Sequence, residues 1–293
     1  VTYLATWATL KLSHKYKLYP QIRARDVHTK PTPRLGGVAM FIGFLAAMGS
    51  AGLFGWFRSV FADPIHIAAI VAAAAIITLI GFLDDLYDLD WTLKLAGQFV
   101  VAGILAWQGV QIVSLPIGGL TIGSFGTSLV ATVFLTVLVM NAVNFIDGLD
   151  GLAAGIVAIS GAAFFAFAYL LAVIYGFSRA GSPSLITAII IGVCIGFLPH
   201  NAYPARIFMG DSGSMLLGLL LAASAITLTG QIDPNAISAE SLGPTLLPLA
   251  LPLAVLALPL IDLFSAIIRR VRAGKSPFAS DKEHIHHRIM RSG

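Results

Sequence analysis

The sequence predicts an all-α integral membrane protein, a polytopic bundle of about nine transmembrane helices with its polar motifs on one face. Three observations support this. Of 293 residues, 57% are hydrophobic and only 11% charged, whereas a soluble domain carries about 25% charged residues. Apolar stretches of the length needed to cross a bilayer recur along the whole chain. The basic residues also fall in alternate loops, as the positive-inside rule requires of a polytopic protein.

Taken in order, the expected spans are Val1–Leu18, Gly36–Phe57, Ile65–Leu83, Leu93–Val110, Thr127–Val143, Leu152–Tyr175, Ser184–His200, Ser214–Gly230 and Pro244–Ile268. No soluble domain fits between them, so residues 1–293 are read as one polytopic domain. The first span starts abruptly in apolar sequence without the charged start of a signal peptide, which suggests a clipped N-terminus. Between the fourth and fifth spans, Gln111 to Gly126 alternates polar and apolar residues around Gly118 and Gly119, the pattern of an external hairpin. Pro244, Pro248, Pro252 and Pro259 should bend or break the last span. The single cysteine, Cys194, lies in an apolar run and excludes a disulfide framework.

All of the 18 Lys and Arg except Arg58 and Arg179 fall on one face, which is therefore expected to be cytoplasmic. Contact with anionic membrane lipid accounts for the net charge of +4, and no nucleic-acid partner is expected. Acidic residues do not set topology, yet they gather on the same face at span ends. They form DDLYDLD (Asp84, Asp85, Asp88, Asp90), NAVNFIDGLDG (Asn141, Asn144, Asp147, Asp150) and FMGDSGS (Asp211). Solvated helix ends would explain any one of these; three converging clusters point to a site. Asp84 and Asp88, four apart, and Asn141, Asn144 and Asp147, three apart, are each expected to share a helix face. Such oxygen ligands suit Mg²⁺, with Mn²⁺ as a substitute, completed by water and a diphosphate substrate.

Lys30, Arg34, Lys94 and Arg206 supply cations near these clusters. Lys94 is the best placed to meet phosphate; for Lys30, Arg34 and Arg206 an interfacial charge is an equal reading. Gly148, Gly151, Gly210 and Gly213 permit tight turns beside a ligand, although glycine is also common packing filler in membranes. His284, His286 and His287 stand close together near the C-terminus. Zinc is the weakest explanation for them, because a structural site wants four ligands, usually including thiolates. Donors to a diphosphate are the better one. His66 is read as packing.

Together HTKPTPRLGG, the Asp84–Asp85 pair, NAVNFIDGLDGLAAG, PARIFMGDSGS and HIHH resemble the polyprenyl-phosphate N-acetylhexosamine 1-phosphate transferase family, in its order and from about Lys30 to Arg288. The form of the first and last motifs is similar to the bacterial branch that uses UDP-GlcNAc to start cell-envelope glycans. The branch that uses UDP-MurNAc-pentapeptide has three adjacent histidines, a run that Ile285 interrupts here. RARDVHTKPTPRLGGVAMF looks actinobacterial, which implies a decaprenyl carrier in place of undecaprenyl.

The resemblance implies a role for each residue. Asp211 would be the principal Mg²⁺ ligand, assisted by Asn144, and Lys94 would contact the diphosphate. Gly148, Asp150, Asn201 and Phe208 would form the uracil pocket, with Phe208 stacking, and Asp147 would lie beside them. Asp84 would orient or deprotonate the polyprenyl phosphate, supported by Asp85 and Asp88. His284, His286, His287 and Arg288 would face the sugar diphosphate. Direct attack and a two-step route through an aspartyl phosphate both remain open. The expected partners are UDP-GlcNAc, polyprenyl phosphate and membrane lipid, with a homodimer as a further option. Family members continue into at least one more span, so the chain is expected to be shorter than they are at both ends.

Two other classes fit less well. DDLYD is a literal DDxxD, as in membrane prenyltransferases, but NFIDGLDG is a poor second aspartate-rich motif. A transporter would carry acids near the bilayer midplane, whereas these sit at span ends on one face. The DGxxAR-type motif of CDP-alcohol phosphotransferases is absent.

Overall fold

Apolar runs bounded by capping residues become helices along the whole described chain. The computed structural model describes residues 1–19, 32–112, 124–173 and 181–229, with scattered positions between 257 and 274. Eight α-helices are assigned there: α1 (Thr2–Tyr16), α2 (Gly36–Leu53), α3 (Pro64–Tyr87), α4 (Trp91–Trp107), α5 (Phe125–Ile146), α6 (Leu152–Val173), α7 (Gly181–Asn201) and α8 (Gly210–Thr229). No strand occurs among the described residues.

Local chemistry sets the ends. Asp63 caps α3, accepting from His66 N–H at 3.3 Å, with Pro64 at the first helical position. The helix stops at Asp88, which adopts a left-handed conformation with φ 56°. Asp90 then caps α4 through Thr92 N–H at 2.9 Å, and Ser124 caps α5 through Thr127 N–H at 3.2 Å. Inside lipid the remaining backbone groups must pair within each helix, which favours these long uninterrupted elements.

Among the described residues, six helices are long and apolar enough to cross a membrane: α2, α3, α5, α6, α7 and α8. The fourth expected span forms the shorter apolar helix α4. The first forms α1, which packs on α2 and α7 and buries the polar Thr2, Thr6 and Ser13. The proline-rich ninth lies almost wholly outside the described residues, as do 113–123 of the expected hairpin. The end of that stretch is helical instead, because Ser124 starts α5 and takes Phe125 and Gly126 into it.

At the centre is α8, with 89% of its apolar stretch buried against 33% to 56% for the other long helices. It packs on α2, α3, α5 and α7. At Gly81 a side chain would strike the Ser212 backbone of α8, so α3 and α8 approach almost backbone to backbone. Because α3, α4 and α5 run alternately and α8 joins them, the C-termini of α3 and α5 and the N-termini of α4 and α8 meet at one end of the bundle.

Candidate functional site

Asp211 lies in the first turn of α8 and gathers partners from two other helices. Its Oδ1 accepts from Asn144 Nδ2 of α5 at 2.9 Å, and its Oδ2 pairs with Lys94 Nζ from α4. The same ammonium reaches Asp84 Oδ2 of α3 at 3.1 Å. Lys94 thus sits between two carboxylates that are 127 residues apart in sequence but share one cation. Ser214 Oγ accepts a second hydrogen bond from Asn144 Nδ2 at 2.8 Å.

Asp85 points elsewhere. Its oxygens accept from the backbone N–H of Asp211 at 2.9 Å and of Ser212 at 3.1 Å, and from Ser212 Oγ at 2.8 Å. A carboxylate from α3 thereby closes the positive end of α8. This approach needs Gly210, whose φ is +68° and where a side chain would meet Asp85 at 2.5 Å. Asp88 is exposed at the turn after α3. The expectation that Asp84 and Asp88 share a helix face is corrected, because the helix ends at Tyr87 and the left-handed Asp88 breaks its periodicity. The three aspartates of DDLYD have three different environments and do not form one diphosphate clamp.

Two further motifs are brought against this cluster by backbone pairing. Phe208 N–H donates to Pro33 carbonyl at 2.8 Å, Gly36 N–H to Phe208 carbonyl at 3.0 Å and Gly37 N–H to Met209 carbonyl at 2.8 Å. This places Arg34 within electrostatic reach of Asp147, which follows α5. Burial, and then the negative charge of Asp211, push the Asp147 carboxyl up to about 8, with Arg34 opposing the rise.

Behind Phe208, Asn201 and Asp150 tie two loops together. Asn201 is 2% exposed; its Oδ1 accepts from Gly151 N–H at 3.1 Å and its Nδ2 donates to Ile207 carbonyl at 3.0 Å. Asp150 Oδ2 accepts from Ala205 N–H at 2.8 Å. Gly148 is exposed on the turn between them. Arg206 folds back onto the end of α7, donating to Pro199 carbonyl and to His200 Nδ1, each at 3.1 Å. Lys30, His284, His286, His287 and Arg288 lie outside the described residues.

Sequence reasoning missed Ser212, Ser214 and Gln98, which hold the acidic residues or the helices beneath them; the two serines stand inside the FMGDSGS motif beside Asp211, and Gln98 is the amide in the apolar run of α4. It also missed Arg270, which is 4% exposed and has its guanidinium 5.3 Å above the Phe145 ring, next to Asn144. Arg270 stands between Arg269 and Val271 in a basic run at the end of an apolar stretch, where its charge reads as topology and gave no separate signal.

Among the described residues no three His, Cys, Asp or Glu side chains form a ready metal cage. The donor set nevertheless fits a hard divalent cation. Asp84 and Asp211 offer carboxylate oxygen at one point where positive charge is already held, and Mg²⁺ commonly takes one or two carboxylates with water and substrate phosphate.

A family model described as glycosyl transferase family 4 matches residues 67–229, the segment that carries Asp84 through Asp211. The decaprenyl-phosphate N-acetylglucosaminephosphotransferase of Mycobacterium leprae is 42% identical over 300 residues, covering 100% of this chain and 75% of that protein. The probable undecaprenyl-phosphate N-acetylglucosaminyl 1-phosphate transferase of Bacillus subtilis is 35% identical, covering 92% of this chain and 68% of that protein. The undecaprenyl-phosphate alpha-N-acetylglucosaminyl 1-phosphate transferase of Escherichia coli K12 is 28% identical, covering 97% and 72%. Motif order, helix-end placement and full-length similarity agree, and the chain belongs to glycosyl transferase family 4, among the polyprenyl-phosphate N-acetylhexosamine 1-phosphate transferases that its motifs resemble.

Proposed function

We propose that this protein transfers GlcNAc 1-phosphate from UDP-GlcNAc to a polyprenyl phosphate, decaprenyl in the mycobacterial relatives, with release of UMP. The observation that carries this reading is the convergence on Asp211 of Lys94, Asp84 and Asn144 at one end of the bundle. The excess of Lys and Arg in the loops at that end supports a cytoplasmic site, where a soluble nucleotide sugar is supplied.

In this mechanism an oxygen of the lipid phosphate attacks the β-phosphorus of UDP-GlcNAc. The bond from that phosphorus to the bridging oxygen breaks, and UMP leaves with the oxygen and its electron pair. The GlcNAc phosphate stays joined to the lipid through a new phosphoanhydride. The nucleophile is already an oxyanion near neutral pH, so no covalent enzyme intermediate is required, and positioning and charge neutralisation supply most of the rate. Asp84 orients the lipid phosphate and accepts any proton it still carries. Lys94 donates to diphosphate oxygen as negative charge shifts toward UMP. Asn144 holds the Asp211 carboxylate in place. Bound at Asp211, Mg²⁺ or Mn²⁺ would neutralise charge on the diphosphate.

Phe208 stacks on the uracil beside Gly148, while Asn201 and Asp150 fix the two loops of that pocket through their backbone hydrogen bonds. Arg34 and Asp147 line the same side. Lys30, Arg206, His284, His286, His287 and Arg288 complete the reading as groups that face phosphate or sugar.

The test is transfer of radiolabel from UDP-GlcNAc to polyprenyl phosphate by the purified protein, with Mg²⁺ or EDTA, beside Asp211→Asn. Labelled lipid and UMP that require both Mg²⁺ and Asp211 are expected. Product from UDP-MurNAc-pentapeptide but none from UDP-GlcNAc would overturn the sugar while leaving the reaction type.

A further inference from the structure

Directly beneath Lys94, Asn144 and Asp211, the same three helices contribute a second tier of side chains. On α4, Gln98 lies one turn below Lys94; on α5, Asn141 lies one turn below Asn144; on α8, Met215 lies one turn below Asp211. The lower tier is joined as the upper one is. Gln98 Oε1 accepts from Asn141 Nδ2 at 2.6 Å, and Gln98 Nε2 points at Met215 Sδ at 3.2 Å. Asn141 Nδ2 also donates to Val137 carbonyl at 2.8 Å. Gln98 is 1% exposed and its neighbours on α4, α5 and α8 are mainly apolar.

We infer that Gln98 is a positioning residue for the transfer reaction: bonded to Asn141 and seated on Met215, it fixes the rotation and height of α4 against α5 and α8, so that Lys94 meets Asp211. This rests on the reading of Lys94 and Asp211 as the reacting cluster. Two features support a directional role over simple packing. A buried amide in an apolar surrounding is costly unless its partner is in one place, so the bond selects a single register. The Met215 thioether and the Asn141 amide nitrogen lie on different helices, so a rotation of α4 that kept one contact would lose the other. Lys94 carries its charge on a long flexible stem. Its ammonium stays between Asp84 and Asp211 only if the root of that stem is held.

The test compares wild type with Gln98→Leu, Gln98→Glu and the exchanged pair Gln98→Asn with Asn141→Gln, which keeps an amide-to-amide bond of the same total length. Turnover is measured per folded molecule, with kcat and KM for UDP-GlcNAc separated. Distances between spin labels at the exposed Val100 of α4 and Phe134 of α5 are measured in a Cys194→Ala background. For Gln98→Leu the expected result is a fall in kcat of up to roughly 10²-fold, the cost of a small misplacement of a reacting group. KM should change little and the distance distribution should broaden. The exchanged pair should recover most of the kcat and the narrow distribution. Wild-type kcat per folded molecule in Gln98→Leu, or a narrow unchanged distribution, overturns the inference. Absence of transfer by wild type would instead overturn the proposed reaction, and the spin-label distances would still judge Gln98.

Discussion

Asp85 of α3 and Ser212 of α8 are joined twice, through the Ser212 backbone N–H at 3.1 Å and its hydroxyl at 2.8 Å, while the other Asp85 oxygen takes the Asp211 N–H. The carboxylate next to Asp84 is therefore a helix cap supplied by a neighbouring helix. Its contribution reaches Asp211 through the backbone that carries it.

Asp85→Ala is expected to lower stability by about 1–2 kcal/mol, the usual loss for a helix cap, and to lose turnover as Asp211 shifts. Asp85→Asn keeps one acceptor and should fall between. The melting temperature in detergent, read beside the transfer rate, checks this. A wild-type melting temperature with lost kcat would make Asp85 a reacting group instead.

Lys94→Met and Asp211→Asn each remove one side of the shared ion pair. Each should reduce kcat by roughly 10²–10³-fold, the scale for losing one charge-stabilising group from an enclosed site. EDTA should silence the wild type, and added Mg²⁺ or Mn²⁺ should restore it. The radiolabel assay reads all three, and near-normal turnover of either variant would remove that residue from the centre.

Phe208→Ala should raise KM for UDP-GlcNAc about 5-fold to 150-fold, matching the 1–3 kcal/mol typical of stacking a base on an aromatic ring. Its kcat at saturation should change far less, because the loops held by Asn201 and Asp150 remain tied. Steady-state kinetics over a range of UDP-GlcNAc decide it; an unchanged KM argues against stacking.

Asp147 gives a pH signature. Burial, then repulsion from Asp211, raise its carboxyl from 3.8 to about 8 in the folded protein. The folded chain then keeps a proton that the unfolded chain releases, so this contribution is complete below 3.8 and is lost as pH rises toward about 8. Asp147→Asn stays neutral throughout and should flatten that decline. Melting temperature against pH, in EDTA and without substrate, is the measurement, and parallel curves for the two proteins would reject the assignment.

Helix-end placement of the motifs was legible because apolar length and basic-loop asymmetry are one-dimensional signals. Asp84, Lys94, Asn144 and Asp211 all lie within three residues of a break in an apolar run or at its polar edge, and the alternation of spans puts those edges on one side. The separate tasks of Asp84 and Asp85 were not legible. Adjacent residues on a helix diverge by about 100°, and which neighbour each one meets depends on where α4 and α8 pack. Asp88 was misread for a local reason, since periodic spacing carries no signal that a residue will turn left-handed and end the helix.

By itself the sequence determined the solvent, the helical class, the gathering of the polar motifs at one end of the bundle and the family, because each depends on residue type and order. Only the tertiary structure decided that Lys94 is shared by Asp84 and Asp211, that Asp85 closes α8, and that Gln98 and Asn141 form a tier beneath them. The physical reason is that side-chain pairing across helices depends on rotation and axial height. Those are set by close contacts such as Gly81 against Ser212, and no spacing within a single helix encodes them.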